Sequence, residues 1–371
     1  MYISVIPGTF ELRLMSAKPL HPIRPPLSTS LFSCMAIETH ATRLSEHMAI
    51  AGIVLNGMPR RYFALGSSHT RDGRYVMTVH DCDAHNCVTN AADIGTSTVT
   101  SIDRHGTVVN IATRGNIVVV FKCGKAVVLV DRKPAGHIDV KCRERWVSDW
   151  YICDRWSQQL NDDIYVIDNS DRLIRISWQD VTAHRYASLA VVDSRVEDFY
   201  VHDQGNAILK TTGTLVLNSV SRSVNMQAVY AGVKWSTVIK AANRWLVCGD
   251  KTDMTSAIVS LDDRGVIISS VSIRTTAVYG QAFIKYLKTA VVRQHQAIIL
   301  AIDVDACCHL ISMTASGHLH TLESMPTIRR PDIQYPNESY KQISSMAETD
   351  TEGQYIVAGY MWIKKLTVRL N

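Results

Sequence analysis

No proline lies between Pro134 and Pro326, whereas five of the ten sit within residues 1–26. Proline removes a ladder donor and is expelled from central strands, so the proline-free stretch is where a continuous sheet system can form. It is also rich in β-branched residues, of which the whole chain has 38 Val, 32 Ile and 28 Thr in 371 residues. These residue types fit a pleated, half-buried surface. With 46% apolar and 20% charged residues, the chain can bury a sizeable core, which excludes wholesale disorder and a disulfide mini-scaffold. No apolar run reaches the roughly 18 residues that cross a bilayer, so no membrane insertion is expected.

From about residue 50 short strand-like runs alternate with Gly, Asp and Asn. Residues 116–131 (NIVVVFKCGKAVVLVD) predict a hairpin, with Gly124-Lys125 as a two-residue turn and valine runs buried on both faces. In residues 163–178, Ile174, Ile176 and Trp178 alternate with Arg175 and Ser177, the period of a half-buried strand. Similar units follow at 198–219, 257–273, 309–322 and 354–370. The best helix candidate is the short stretch from His40 to Ile50. Setting aside an N-terminal strand and proline-rich arm (1–40) leaves 371 − 40 = 331 residues. Divided by seven this is about 47 per unit, the size of a four-stranded propeller blade. The expected fold is therefore all-β, a single β-propeller over 41–371 with seven four-stranded blades. FELRL (10–14) is the expected closing strand, pairing with the C-terminal IKKLTVRL.

Hairpins with Asp/Asn/Gly tips, the fragments LIRISWQD (173–180) and GHLHTL (317–322), and the terminal closure resemble a divergent WD-repeat or related β-propeller protein. The regular Gly-His opening and Trp-Asp ending are missing from most units; Asp149-Trp150 stands in reverse order. The resemblance implies a rigid interaction platform without catalysis.

Two clusters are candidate sites. His80, Cys82, His85 and Cys87 lie within eight residues, and thiolates and imidazoles are zinc ligands. The spacing matches no common zinc module; buried thiols and a solvated His/Asp loop are the favoured reading, and no cofactor is assigned. Cys307-Cys308-His309 would be a remote further ligand only by coincidence. The second cluster is RERWVSDWYICDRW, where Trp146, Trp150, Tyr151 and Trp156 interleave with Arg143, Arg145 and Arg155. Trp and Arg dominate interface hot spots, against the alternative that a tryptophan plugs the core. Pro19, Pro22, Arg24 and Pro25 make the arm an extended segment that can lie across a partner at low entropic cost.

Catalytic signatures are absent. The glycine-rich phosphate loop, the zinc-protease pair and the nucleophile elbow do not occur. Asp262-Asp263 and Asp303-Val304-Asp305 fit turn-stabilising carboxylates better than calcium ligands. Nine scattered cysteines point to reduced thiols in an intracellular setting, cytoplasmic or nuclear, with a mitochondrial location as the alternative. The sequence thus reads as a non-enzymatic scaffold or structural subunit that binds other protein subunits of a complex. Two alternatives stand beside it. One is an RNA-associated subunit of a ribonucleoprotein, suggested by Arg60-Arg61, Arg329-Arg330 and a net charge of +5. The other is a viral or other shell protein with a β-sandwich fold.

Overall fold

A computed structural model describes the backbone of strands at 5–6, 9–10, 35–43, 49–57, 60–69, 75–83 and 96–100. From 108 onward it describes the chain except 115–116, 123–124, 132, 144, 148–149, 153–156, 161–162, 188, 202–204, 254, 275–283, 304–306, 326–342, 349–351, 360–361 and 371.

Among the described residues there are seven antiparallel sheets of four strands, six of them built from strands adjacent in chain order. Sheet 1 runs from Ala49–Gly57 to Thr96–Thr100, and sheet 2 from Val108–Arg114 to Lys133–Ile138. Sheet 3 runs from Ser157–Leu160 to Leu189–Asp193, and sheet 4 from Val196–Tyr200 to Arg222–Asn225. Sheet 5 spans Lys234–Ala241 to Ile267–Arg274, and sheet 6 spans Ile284–Arg293 to Leu319–Met325. Sheet 7 takes Ile343–Glu348, Gln354–Gly359 and Trp362–Leu370 from the C-terminal part and Met35–Arg43 from the N-terminal part. Two hairpins stand outside this set, Val5–Ile6 with Thr9–Phe10 and Arg145–Val147 with Trp150–Ile152.

The core lies between sheets, because period-2 alternation sends successive side chains to opposite neighbours. In the strand Arg244–Asp250, Trp245 and Val247 pack with Leu209 and Leu217 of sheet 4. Leu246 and Cys248 point the other way, among Ile299 and Ile311 of sheet 6. A strand covered on both faces must be continuously apolar, which explains runs such as Val127-Val128-Leu129, all buried. Equivalent clusters join sheets 2 and 3, 3 and 4, and 6 and 7. Polar links reinforce the inner strands: Val238 N–H donates to Asp198 Oδ2 (2.7 Å), Thr289 Oγ1 to Lys240 O (3.3 Å) and Tyr355 Oη to Thr289 O (2.8 Å). Sheet 1 packs through Ala49–Gly57 against Val108–Arg114 of sheet 2 and against Ile343–Glu348 of sheet 7, so the series closes into a ring.

Three expectations are corrected. The closing strand is Met35–Arg43, which pairs with Trp362–Leu370 over nine residues from Met35↔Leu370 to Arg43↔Trp362. Gln354–Gly359 occupies the other edge of the C-terminal strand, leaving none for FELRL. A nine-residue ladder satisfies more backbone groups than a five-residue one could. Thr9–Phe10 pairs instead with Val5–Ile6; residues 11–14 lie outside the described residues. Of the candidate helix from His40 to Ile50, residues 40–43 and 49–50 belong to two strands, where sheet pairing overrides a weak helical preference; 44–48 lie outside the described residues. In the 116–131 hairpin, Val127 faces Val120 and Val128 faces Val119, a register one residue off a turn centred on Gly124-Lys125. The tip itself lies outside the described residues.

Pro134 is accommodated where the ladder tolerates it, in the edge strand of sheet 2 beside a register shift between Val128 and Leu129. Helical pieces are short: Trp178–Thr182, capped by Ser177 Oγ accepting from Gln179 N–H, and Met226–Val229. Trp178 therefore opens a helix rather than ending a strand, and it is fully buried.

Candidate protein-interaction surface

The tryptophan-rich segment follows sheet 2, and residues 141–143 at its start are anchored. Cys142 bridges to Asp168, Asn169 N–H donates to Lys141 O (2.8 Å), and Arg143 N–H donates to Ile167 O (3.2 Å). These bonds stitch 141–143 to the tip of a hairpin in sheet 3. That tip is built by Asp168, whose Oδ1 accepts from the N–H groups of Ser170 and Arg172 while Oδ2 pairs with the Arg172 guanidinium at 2.6 Å. A carboxylate that folds back on its own turn is a common use of Asp at such tips.

Arg143 was expected to contact a partner, but its guanidinium turns inward. Nη1 donates to Asp171 Oδ1 (2.7 Å) and to Val196 O (3.0 Å), and Nη2 donates to Glu197 O (2.7 Å). With 12% of its side chain exposed, Arg143 clamps the sheet 3 tip to the first strand of sheet 4. Arginine's planar fork suits such multidentate contacts.

Immediately beyond it the chain forms the Arg145–Val147/Trp150–Ile152 hairpin. Trp146 lies opposite Tyr151, and Val147 opposite Trp150. Arg145 faces Ile152 across the ladder. Trp156, like Pro19, Pro22, Arg24 and Pro25, lies outside the described residues. Trp178, Trp235 and Trp245 are core residues.

The zinc candidates divide. His80 and Cys82 occupy alternate positions of Tyr75–Asp83, opposite Ala64 and Tyr62, and so share a strand face; His85 and Cys87 lie outside the described residues. Cys308 is a core residue and His309 bonds Asp303 through Nε2 (3.1 Å), so this pair serves packing and the Asp303 turn, whose Oδ1 also accepts from Cys307 N–H. Asp262 likewise accepts from Arg264 and Val266 N–H, the turn role expected for it. Arg60-Arg61 opens the strand Arg60–His69, and Arg329-Arg330 lies outside the described residues. No described helix is long and apolar enough to cross a membrane.

Sequence reasoning missed an exposed rim. Val220, Val266 and Ile267 are 42%, 49% and 38% exposed, around the outer turns of sheets 4 and 5. No local signal distinguishes them from core Val and Ile.

No family model matches the sequence, and no curated protein matches it. Solved structures do match in shape. A chain of the mitotic checkpoint complex superposes with a TM-score of 0.55 at 11% identity, covering 96% of this chain and 98% of that one. The WD40 domain of Neurospora crassa Pan2 gives 0.52 at 6% identity (88% and 95%), and YCF48 bound to D1 peptide gives 0.53 at 7% (89% and 96%). The fold is a β-propeller. At these identities the likeness concerns architecture alone.

Proposed function

We propose that this propeller is a non-catalytic scaffold subunit that binds other proteins within a larger assembly, with the 145–152 hairpin as its principal contact. The observation that carries this reading is the hairpin's position: it joins none of the four-stranded sheets, yet it starts two residues after a clamped arginine. A small ladder on a fixed base loses little entropy on association, and its aromatic residues supply large contact area. Trp146, Trp150, Tyr151 and Arg145 contribute the contact; Arg143 supports it from behind; Trp156 and the arm residues Pro19, Pro22, Arg24 and Pro25 extend it. Among proteins of similar shape, one is bound to a peptide and another belongs to a multiprotein complex, which fits this use of the fold.

The test is affinity capture from native extract with wild type and Trp150→Ala, each with and without nuclease. The scaffold reading expects protein partners that survive nuclease and weaken in the variant. Partners lost with nuclease would assign the propeller to a ribonucleoprotein.

A further inference from the structure

The outer seam between sheets 4 and 5 is tightly stapled. The turn at 262–266 approaches sheet 4 so closely that a Cβ on Gly265 would lie 2.6 Å from Val224 Cγ2 and 3.3 Å from Leu217 Cδ1. Further along, Tyr230 Oη hydrogen-bonds Ser270 Oγ, and Lys251 Nζ lies 5.7 Å from the Tyr230 ring while donating to Ser272 Oγ (3.1 Å). On this firm base sit the exposed Val220, Val266 and Ile267. Arg222 and Arg264 are exposed on the same two turns' strands and loop, and Arg222 Cδ lies 3.9 Å from the Gly265 Cβ position.

The charge balance of the seam is uneven. Asp262 is committed to the N–H groups of its own turn, and Asp263 pairs with Lys240 Nζ at 3.4 Å. Arg222 and Arg264 are exposed and have no carboxylate partner among the described residues, whereas Arg172, Arg185 and Arg293 do. Three exposed aliphatic side chains and two exposed arginines without a carboxylate ion-pair partner among the described residues match a ligand that brings both apolar groups and carboxylates.

We propose that this seam is a second docking surface, separate from the 145–152 hairpin, that takes an extended acidic segment with apolar side chains from a partner protein. RNA fits less well. Its single strands are read by exposed aromatic stacking platforms and long basic tracks, and the seam's Tyr230 is half-buried and engaged with Ser270.

The test uses the full-length chain and a fluorescein-labelled decapeptide in which Asp and Glu flank Leu and Phe, with a counterpart carrying Lys for each acid. The double variant Arg222→Glu, Arg264→Glu should lose at least about tenfold in affinity for the acidic peptide and gain at least about tenfold for the basic one. Both side chains are exposed, so its melting should match wild type. Val266→Ser with Ile267→Ser should weaken both pairings. Trp150→Ala should leave peptide affinity unchanged, which separates this surface from the hairpin. Equal affinity in wild type and the charge-reversed variant would overturn the proposal. So would displacement of the acidic peptide by an oligouridine, or a concentration-dependent dimer abolished by the Val266/Ile267 changes.

Discussion

The Arg143 guanidinium reaches 2.7 Å from Asp171 Oδ1, joining the segment that leaves sheet 2 to the hairpin tip of sheet 3. The same guanidinium donates to two carbonyls, Val196 and Glu197, in the first strand of sheet 4. One side chain therefore ties three consecutive parts of the ring together at the base of the aromatic hairpin.

Arg143→Ala leaves two carbonyls and a carboxylate without their donor, and the expected loss is about 3 kcal/mol, in the range for charged hydrogen bonds at a largely buried site. Arg143→Lys should recover only part of it, because an ammonium cannot reproduce the fork. Urea denaturation of the two variants checks this. An Arg143→Ala midpoint equal to wild type would mean that the clamp is idle.

Trp150→Ala should lower partner affinity by more than about 1 kcal/mol while leaving the melting temperature within about 2 °C of wild type. Titration calorimetry with the captured partner, beside thermal melting, separates the two effects. A drop in melting temperature without a change in affinity would place Trp150 in the core.

Truncations locate the end of the folded unit. A chain starting at residue 35 keeps the strand Met35–Arg43 and should melt as cooperatively as the full chain. A chain starting at 44 loses all nine pairings with Trp362–Leu370 and leaves the C-terminal strand with an open edge. It should show a broad, strongly lowered transition by differential scanning calorimetry.

Gly265→Ala should destabilise by about 1–2 kcal/mol. The residue has φ +76°, and the added Cβ would press on Val224. Denaturant midpoints check the magnitude. The same variant should also weaken the acidic-peptide pairing, since it lifts the 262–266 turn off sheet 4.

Much of this architecture was legible because each strand reports its own environment. The alternation from Ile174 to Ser177, with Arg175 exposed between buried Ile174 and Ile176, and the unbroken apolar run at 126–130 record one-sided and two-sided burial directly. Partner choice across the chain is not recorded in that way. FELRL and Met35–Arg43 both carry alternating patterns near the N-terminus, and what selects the second is ladder length against a strand more than three hundred residues away. Residue type alone could not separate Arg143 from Arg145, since an arginine beside tryptophans reads as a contact residue until Asp171 and the Val196 carbonyl are seen to hold it. The seam was invisible for the opposite reason. Val220, Arg222, Arg264 and Val266 come from two turns that only the packing of sheet 4 on sheet 5 brings together.

The central claim is that the propeller works by holding proteins. Affinity capture of the full chain from native extract, split with and without nuclease and read by mass spectrometry, tests it most directly. The account predicts protein partners that persist after nuclease and are depleted by Trp150→Ala. Partners that vanish with nuclease, or a chain recovered alone, would contradict it.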